Sequence, residues 1–212
     1  MALMASLEDH QGRCIAGLDE AGRGPLAGDV VAAAVIPGPA FSLDAVNDSK
    51  KLTARQRKRL YHLIIRDAQC YAVGRASVAE IDHLNILRAS LLAMQRALEG
   101  LSRQPDLVYV DGLHCPQTSV EAQAIPGGDG RIAAIAAASI IAKVERDRDM
   151  LLLEERYPGY GFARHKGYPT RAHIEALVRL GPCDVHRRSF GPVARQLRQT
   201  TIHQATGETS AT

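Results

Sequence analysis

Short apolar runs, each bounded by glycine, proline or charged residues, recur along the chain and predict β-strands. The runs begin at residues 13, 28, 70, 105 and 119, and they read RCIAGLDE, GDVVAAAVIP, CYAVGRASV, PDLVYVD and SVEAQAIPGGDG. A short glycine-rich stretch separates the first two, so we expect an antiparallel pair joined by a glycine loop. The run at 105 is almost wholly apolar, which is typical of a central strand.

Other segments carry apolar residues at the three- and four-residue spacing of helices. Thr53 and Gln56 are placed as a capping box at the start of one segment, and Thr170 is placed to cap another, which Gly181 ends. The alternation of strands and helices predicts an α/β fold with one mixed sheet flanked by helices. The helical segments are 52–65, 78–98, 131–155 and 170–180.

Composition narrows the class of protein. A chain of 212 residues suits one compact domain with a sizeable core. The four cysteines are widely scattered, without zinc-ligand spacing, and no run approaches the roughly 18 apolar residues of a membrane span. We therefore expect a cytoplasmic protein with reduced thiols and no membrane contact. The net charge of +3 permits a polyanionic partner without requiring one.

Acidic residues fall at the ends of three predicted strands. Asp19, Asp111 and Asp129 occupy these positions, and Glu20 adjoins the first. Sites in open α/β sheets are usually built at the carboxyl ends of strands. An Asp-Glu pair before a glycine turn is by itself ordinary turn chemistry, but its coincidence with two further strand-end acids favours a site. Four hard oxygen ligands suit Mg²⁺ or Mn²⁺ and not zinc.

A glycine loop follows the first two acids. Carboxylates alone repel a phosphate, whereas carboxylates that hold divalent cations attract it. The glycines of Gly22-Arg23-Gly24 would let backbone N–H groups approach the same ligand closely. Two cations about 4 Å apart can stabilise the attacking and leaving oxygens of a phosphodiester displacement. The residues therefore indicate phosphoryl chemistry.

Several motifs together resemble the ribonuclease HII family. They include GLDEAGRGPLAGDVVAAAVI, NDSKKLTARQR, EIDHLNILRASLLAM, VYVDGLHCP, PGGDGRIAAIAAASIIAKVERDRDM, YPGYGFARHKGYPT and HRRSFGPV, and they run in the family's order from about Ile15 to Val193. The resemblance implies an RNase H-like fold with a C-terminal helical extension. We expect an N-terminal extension over 1–13, a catalytic domain over 14–155, a helical substrate-binding segment over 156–198 and a disordered tail over 199–212.

The resemblance also implies an activity. Members of the family cut the RNA strand of RNA/DNA hybrids and incise DNA 5′ to an embedded ribonucleotide, leaving a 3′-hydroxyl and a 5′-phosphate. Asp19, Glu20, Asp111 and Asp129 match the family's four catalytic acids, which hold two Mg²⁺ or Mn²⁺ ions, and Asp19 is our candidate for the bridging ligand. The expected partners are hybrid duplexes and ribonucleotide-containing DNA, bound by a monomer.

Two further features match substrate contacts of the family. The backbone of Gly22-Arg23-Gly24 matches the loop that reads the ribose 2′-hydroxyl, the group that distinguishes RNA from DNA. Tyr168 matches the tyrosine that stacks on the sugar of the following deoxynucleotide. A 2′-hydroxyl at that sugar would crowd the ring, which implies a preference for an RNA-to-DNA step.

Basic and hydroxyl residues outside these motifs are further candidates, although a solvated surface is the alternative for each. A helix N-terminus can hold a phosphate. Lys143, Arg146 and Asp147 share one face of the long helix, where Arg146 is expected on a solvated face and Asp147 as a structural partner. The candidate substrate-binding residues of this group are Ser49, Lys50, Lys51, Lys143, His165, Lys166, Arg187 and Arg188.

Two other functions remain open from the residues. A resolvase-like metal nuclease would share the carboxylates but would not depend on the 2′-hydroxyl. A non-catalytic hybrid-binding protein would bind its ligand equally with and without metal and would turn nothing over. All four acids are present, so the second alternative ranks last.

Overall fold

A mixed five-stranded sheet organises the part of the chain that the structure, a computed structural model, describes, namely residues 12–39 and 53–207. The strand order is β3-β2-β1-β4-β5. β1 pairs antiparallel with β2 and parallel with β4, so the predicted glycine-loop hairpin is confirmed. The strands are β1 (Ile15–Ala21), β2 (Val30–Ile36), β3 (Cys70–Ala76), β4 (Leu107–Asp111) and β5 (Glu121–Ile125).

Helices cover both faces of the sheet and continue beyond it. The Thr53–Gln56 capping box is confirmed at the start of the first helix, and Thr170 caps the sixth. The helices are α1 (Ala54–Asp67), α2 (Val78–Leu84), α3 (Ile86–Glu99), α4 (Ala133–Arg156), α5 (Phe162–His165), α6 (Arg171–Leu180) and α7 (Gly191–Gly207). No helix among the described residues is both long and apolar enough to cross a membrane.

Alternate residues of the central strands face different helices. Ala32 and Ala34 of β2 pack in the same cluster as residues of α2 and α3, whereas Ala33 and Val35 pack with α1 and α4. Asp19 and Gly17 are two residues apart in β1 and therefore lie on the same face of the sheet. A Cβ at Gly17 would overlap the backbone of Ala134 in α4. The strand that carries Asp19 therefore lies directly against the alanine-rich helix.

Two segments differ from the expectations. The helical pattern between residues 78 and 98 is divided at Asn85, which has a φ of 73° and whose side chain accepts hydrogen bonds from the backbone of Leu87 and Arg88. Helix α7 extends to Gly207, into the segment 199–212 for which a disordered tail is expected, and residues 208–212 lie outside the described ranges. No glycine or proline interrupts the chain between Pro192 and Gly207, which leaves the helix without a breaker.

The C-terminal helices attach to the loop that leaves β1. The N–H of Leu26 donates to the carbonyl of Gly167 at 2.8 Å, and the N–H of Gly28 donates to Val185 at 2.9 Å. Ala27 forms an isolated antiparallel bridge with His186. The segment after the glycine loop is thus held between two stretches of the C-terminal region.

Candidate active site

Asp19 and Glu20 lie near the end of β1, which continues one residue further, to Ala21. Asp19 is only 5% exposed. Burial, together with the negative charges of Glu20 and Asp111, raises the pKa of Asp19 well above its ordinary value, although a hydrogen bond with Ser139 opposes this. Burial also raises the pKa of Glu20. The site thus concentrates negative charge where water is scarce, which is costly unless a cation compensates it.

Asp111 is the third acid, and its hydrogen bonds bring Asp129, the fourth, to the same edge of the sheet. It ends β4, and its Oδ1 accepts hydrogen bonds from the N–H of Gly128 at 2.7 Å and of Asp129 at 3.4 Å. Gly127, with a φ of 65°, allows the chain to turn from β5 into the 3-10 turn over Gly128–Gly130. Asp129 is the central residue of this turn and is buried. The interactions of Asp111 with Asp19 and with the turn thus connect all four predicted acids.

One cavity of about 400 Å³ joins acids to the predicted substrate-binding groups. Its lining contains two of the four acids, the glycine loop, Lys143 and the tyrosine. It also contains Arg57 and Ser139, which sequence reasoning did not select. The lining residues are Glu20, Ala21, Gly22, Arg23, Gly24, Arg57, Asp129, Ser139, Ile140, Lys143 and Tyr168.

The two unselected residues had signals in the sequence. Arg57 lies in the first turns of α1, four residues after the Thr53 cap, at a helix N-terminus already regarded as a phosphate site. Ser139 is the polar residue within the apolar stretch of α4, where a hydroxyl among alanines indicates a specific partner. Its partner is Asp19.

The carboxylates fit a hard divalent cation by their chemistry. Within the described ranges, no group of three or more His, Cys, Asp or Glu side chains is arranged to hold a metal ion as it stands. Four carboxylates at one sheet edge nevertheless form an oxygen donor set. Burial is the main cause of the raised pKa values of Asp19 and Glu20, the nearby Asp111 adds to both, and a bound cation would offset both effects. Arg23 compensates part of the negative charge through an ion pair with Glu20 at 3.2 Å.

The glycines of the loop are required by close neighbours. Gly22 has a φ of 99°, and a Cβ there would overlap the guanidinium of Arg146. A Cβ at Gly24 would lie 3.3 Å from Cε1 of Tyr168, which is tighter than an ordinary contact. Tyr168 is 42% exposed and therefore available to a ligand. The predicted loop and tyrosine lie side by side.

Arg187 was predicted to bind substrate, but it lies behind the glycine loop. It is 0% exposed, and its guanidinium donates to the carbonyls of Gly22 at 2.6 Å, Arg23 at 3.0 Å and Gly28 at 2.7 Å. Burial, with a contribution from the charge of Arg146, lowers its pKa to about 9. Its physical role is to bind loop carbonyls, which leaves the side chain inaccessible to a duplex.

Arg146 is also buried, contrary to the expectation of a solvated helix face. It is 1% exposed and donates to the carbonyls of Ala27 at 3.1 Å and Lys166 at 3.0 Å. The partners of Arg146 lie on either side of the contact between the glycine loop and the C-terminal segment. The charge at this helix position is stabilised by backbone carbonyls of other segments, and the helical pattern does not reveal those partners.

The remaining candidates are divided between the cavity and its surroundings. Lys143 lines the cavity and pairs with Asp147 at 2.7 Å, so Asp147 is a structural partner as expected. His165 turns inward, with Nε2 bonded to the carbonyl of Tyr160 at 2.8 Å. Lys166 lines a neighbouring pocket, and Arg188 is exposed, away from the cavity lining. Three predicted residues lie outside the described ranges: Ser49, Lys50 and Lys51.

Comparison with known proteins decides the family. The sequence profile of ribonuclease HII matches residues 16–193. This chain belongs to the ribonuclease HII family. A ribonuclease HII of Nitrosococcus oceani is 60% identical over 186 residues, which cover 88% of this chain and 92% of the relative. A ribonuclease HII of Coxiella burnetii is 56% identical over 184 residues, which cover 87% and 91%. The chain is therefore a nuclease of the hydrolase class.

Solved structures of the ribonuclease HII family and related enzymes confirm the RNase H-like fold. Ribonuclease H2 from Pyrococcus horikoshii superposes with a TM-score of 0.74 at 27% identity, covering 88% of this chain and 98% of the other. Bst-RNase HIII, solved in complex with Mn²⁺, superposes with a TM-score of 0.72 at 18% identity, covering 92% and 73%. The second likeness shows the fold alone.

Proposed function

We propose that this ribonuclease HII family member hydrolyses the RNA strand of RNA/DNA hybrids and incises duplex DNA 5′ to an embedded ribonucleotide. The products would carry a 3′-hydroxyl and a 5′-phosphate, and the biological role would be removal of misincorporated ribonucleotides. The proposal rests on one observation above all. A single cavity contains the acidic residues Glu20 and Asp129, the glycine loop and the exposed ring of Tyr168.

The acids supply the chemistry of the proposed reaction. Asp19, Glu20, Asp111 and Asp129 would hold two Mg²⁺ or Mn²⁺ ions, which supply Lewis-acid stabilisation of the attacking and leaving oxygens when bound. Asp19 remains our candidate for the ligand that both ions share. Its burial and its hydrogen bond with Ser139 restrict the carboxylate to one orientation. No side-chain nucleophile is required, because water attacks the phosphate.

Cationic side chains in the cavity would orient the scissile strand. Lys143 and Arg57 both line it, so each would place a positive charge beside a phosphate. The ion pair of Lys143 with Asp147 restrains the ammonium group. These contacts recognise the backbone and carry no sequence information, which suits an enzyme that acts wherever a ribonucleotide occurs.

Recognition of the sugar would come from the loop and the tyrosine together. The backbone of Gly22-Arg23-Gly24 would bind the ribose 2′-hydroxyl, and Tyr168 would stack on the next sugar. The close approach of Gly24 to Tyr168 supports this division, since the two groups would contact neighbouring nucleotides. A sugar with a 2′-hydroxyl at the second position would crowd the ring.

The proposal can be tested with an end-labelled RNA annealed to DNA in Mg²⁺ or Mn²⁺ buffer. We expect the wild type to cut the RNA and Asp111→Asn to lose activity by ~100-fold or more, because ion-assisted charge stabilisation contributes several kcal/mol. Glu155→Gln, on an exposed stretch of α4, makes the same carboxylate-to-amide change away from the cavity and should retain activity. Equal loss in both variants, or full activity of Asp111→Asn, would contradict the assignment.

A further inference from the structure

Three histidines, two of them buried, form a cluster beneath Tyr168 that the proposed chemistry does not use. His173 of α6 is 0% exposed, and His186 is buried beside it. His165 stacks on His173, with ring centroids 4.3 Å apart. Phe162 packs edge-on against His173 and closes the cluster. The rings of His173 and His186 lie inside the protein, so they act through their neighbours and not on a ligand directly.

The hydrogen bonds of His173 and His186 define which ring nitrogens carry protons. Nδ1 of His173 lies 2.9 Å from the carbonyl oxygen of Tyr168, which can only accept, so Nδ1 is the donor. In the neutral ring Nε2 of His173 is then an acceptor, and Nε2 of His186, 3.2 Å away, must donate to it. Nδ1 of His186 is left as an acceptor, and the N–H of Cys183 donates to it at 3.1 Å. Each assignment is consistent with the next.

The same reasoning applies to His165. Its Nε2 donates to the carbonyl of Tyr160 at 2.8 Å, which leaves Nδ1 to accept the N–H of Gly167 at 3.2 Å. Two consecutive peptide units, at Gly167 and Tyr168, are therefore held by histidines of defined tautomer. Burial lowers the pKa of His173 and of His186, which favours the neutral rings that this pattern needs.

The backbone of Tyr168 connects the histidine cluster to the cavity. The Tyr168 ring is exposed, while its backbone N–H donates to His165 and its carbonyl accepts from both Thr170 and the His173 ring. The ring lies beside Gly24, so close that a Cβ there would be 3.3 Å from its Cε1. A change in the donor at His173 would therefore alter the direction from which Tyr168 enters the cavity.

We propose that His173, oriented by His186, is a positioning residue that sets the Tyr168 ring against Gly24 and so contributes to the preference for a ribonucleotide followed by a deoxynucleotide. The inference rests on the proposed function of Tyr168. Its action is indirect, through one hydrogen bond from Nδ1 to the Tyr168 carbonyl. The side chain of His173 does not itself meet the substrate.

Two near-isosteric variants separate positioning from structural support. In His173→Asn the amide N–H can replace the Nδ1–H donor, whereas in His173→Gln it is displaced toward the position of Nε2. The readout is the ratio of kcat/KM on a duplex with one ribonucleotide to kcat/KM on a continuous RNA/DNA hybrid. We expect a drop of about tenfold or more in His173→Gln, since a misplacement of 1 Å can cost about 10²-fold, and near-wild-type values in His173→Asn.

Tyr168→Ala and the double variant His173→Gln/Tyr168→Ala complete the comparison. If His173 acts through Tyr168, the double variant should lose no more of the ratio than Tyr168→Ala alone. An unchanged ratio in Tyr168→Ala would overturn the proposed role of the tyrosine. The positioning inference alone would be overturned if Tyr168→Ala lowers the ratio while His173→Asn and His173→Gln give the same ratio as each other.

A spectroscopic measurement keeps the inference testable if a variant does not fold. Nitrogen-15 chemical shifts of the histidine rings in the wild-type protein report which nitrogen carries the proton. We expect His173 protonated at Nδ1, and His186 and His165 at Nε2, at neutral pH. Protonation of His173 at Nε2 would remove the donor to Tyr168 and overturn the inference.

Discussion

The guanidinium of Arg187 provides the backbone carbonyls of the glycine loop with charged donors. Gly22, Arg23 and Gly28 all accept from it, and the side chain has no exposure to solvent. Five N–H groups in a planar fork can serve several carbonyls at once, which a lysine ammonium cannot do from the same place. The loop that would bind the 2′-hydroxyl therefore depends on a residue more than 150 positions away.

Arg187→Lys should destabilise the protein although it keeps the charge. Loss of two or more charged hydrogen bonds to buried carbonyls is expected to lower the free energy of unfolding by about 2–3 kcal/mol. Arg188→Lys is the matched control, because Arg188 is exposed and should shift stability by less than about 0.5 kcal/mol. Urea denaturation measures both. Equal stability of the two variants would show that the three carbonyls do not depend on the fork.

Individual residues also show where sequence reasoning was sufficient. Asp19 and Asp111 were predicted from strand-end positions, because the end of an apolar run is visible in the sequence. The burial of Arg146 and Arg187 was not predicted, because basic residues in a charged run are indistinguishable from a solvated surface until their carbonyl partners are known. Arg57 was missed because, although it lies near a helix N-terminus, it is one of several arginines on α1 and the sequence does not say which of them faces the site.

At the scale of secondary-structure elements, the contact between β1 and α4 sets the position of Asp19. Alanines of α4, including Ala134 and Ala138, are buried against the sheet, and Gly17 allows the backbones to approach. This approach places Ser139 where it can bond to Asp19. The many alanines of α4 are visible in the sequence, whereas the requirement for glycine at position 17 depends on which turn of the helix faces it.

Gly17→Ala should disturb this contact. The added methyl would overlap the backbone of Ala134, and overpacking of this kind costs about 1–3 kcal/mol of stability. Gly130→Ala serves as the control, because nothing lies within 4 Å of a Cβ at that position. The free energies of unfolding can be compared by thermal or urea denaturation. A neutral Gly17→Ala would mean that α4 is not fixed against β1.

At the scale of the whole molecule, the cavity combines parts that are distant in the chain. Its acids, Glu20 and Asp129, come from β1 and the turn before α4, its cations from α1 and α4, and Tyr168 from the C-terminal segment. Hydrogen bonds of Arg146 and Arg187 hold the C-terminal segment against the glycine loop. Motif order predicted the family and the parts of the site, whereas their closure around one cavity depends on buried arginine contacts that no local pattern encodes.

The most direct test of this account is cleavage of a DNA duplex that contains one ribonucleotide, labelled at both ends, beside an all-DNA duplex of the same sequence. We expect one cut 5′ to the ribonucleotide, leaving a 3′-hydroxyl and a 5′-phosphate, only when Mg²⁺ or Mn²⁺ is present and never in the all-DNA duplex. Cleavage of both duplexes would indicate a resolvase-like nuclease. Binding that is unchanged by EDTA, with no cleavage under any condition, would contradict the account.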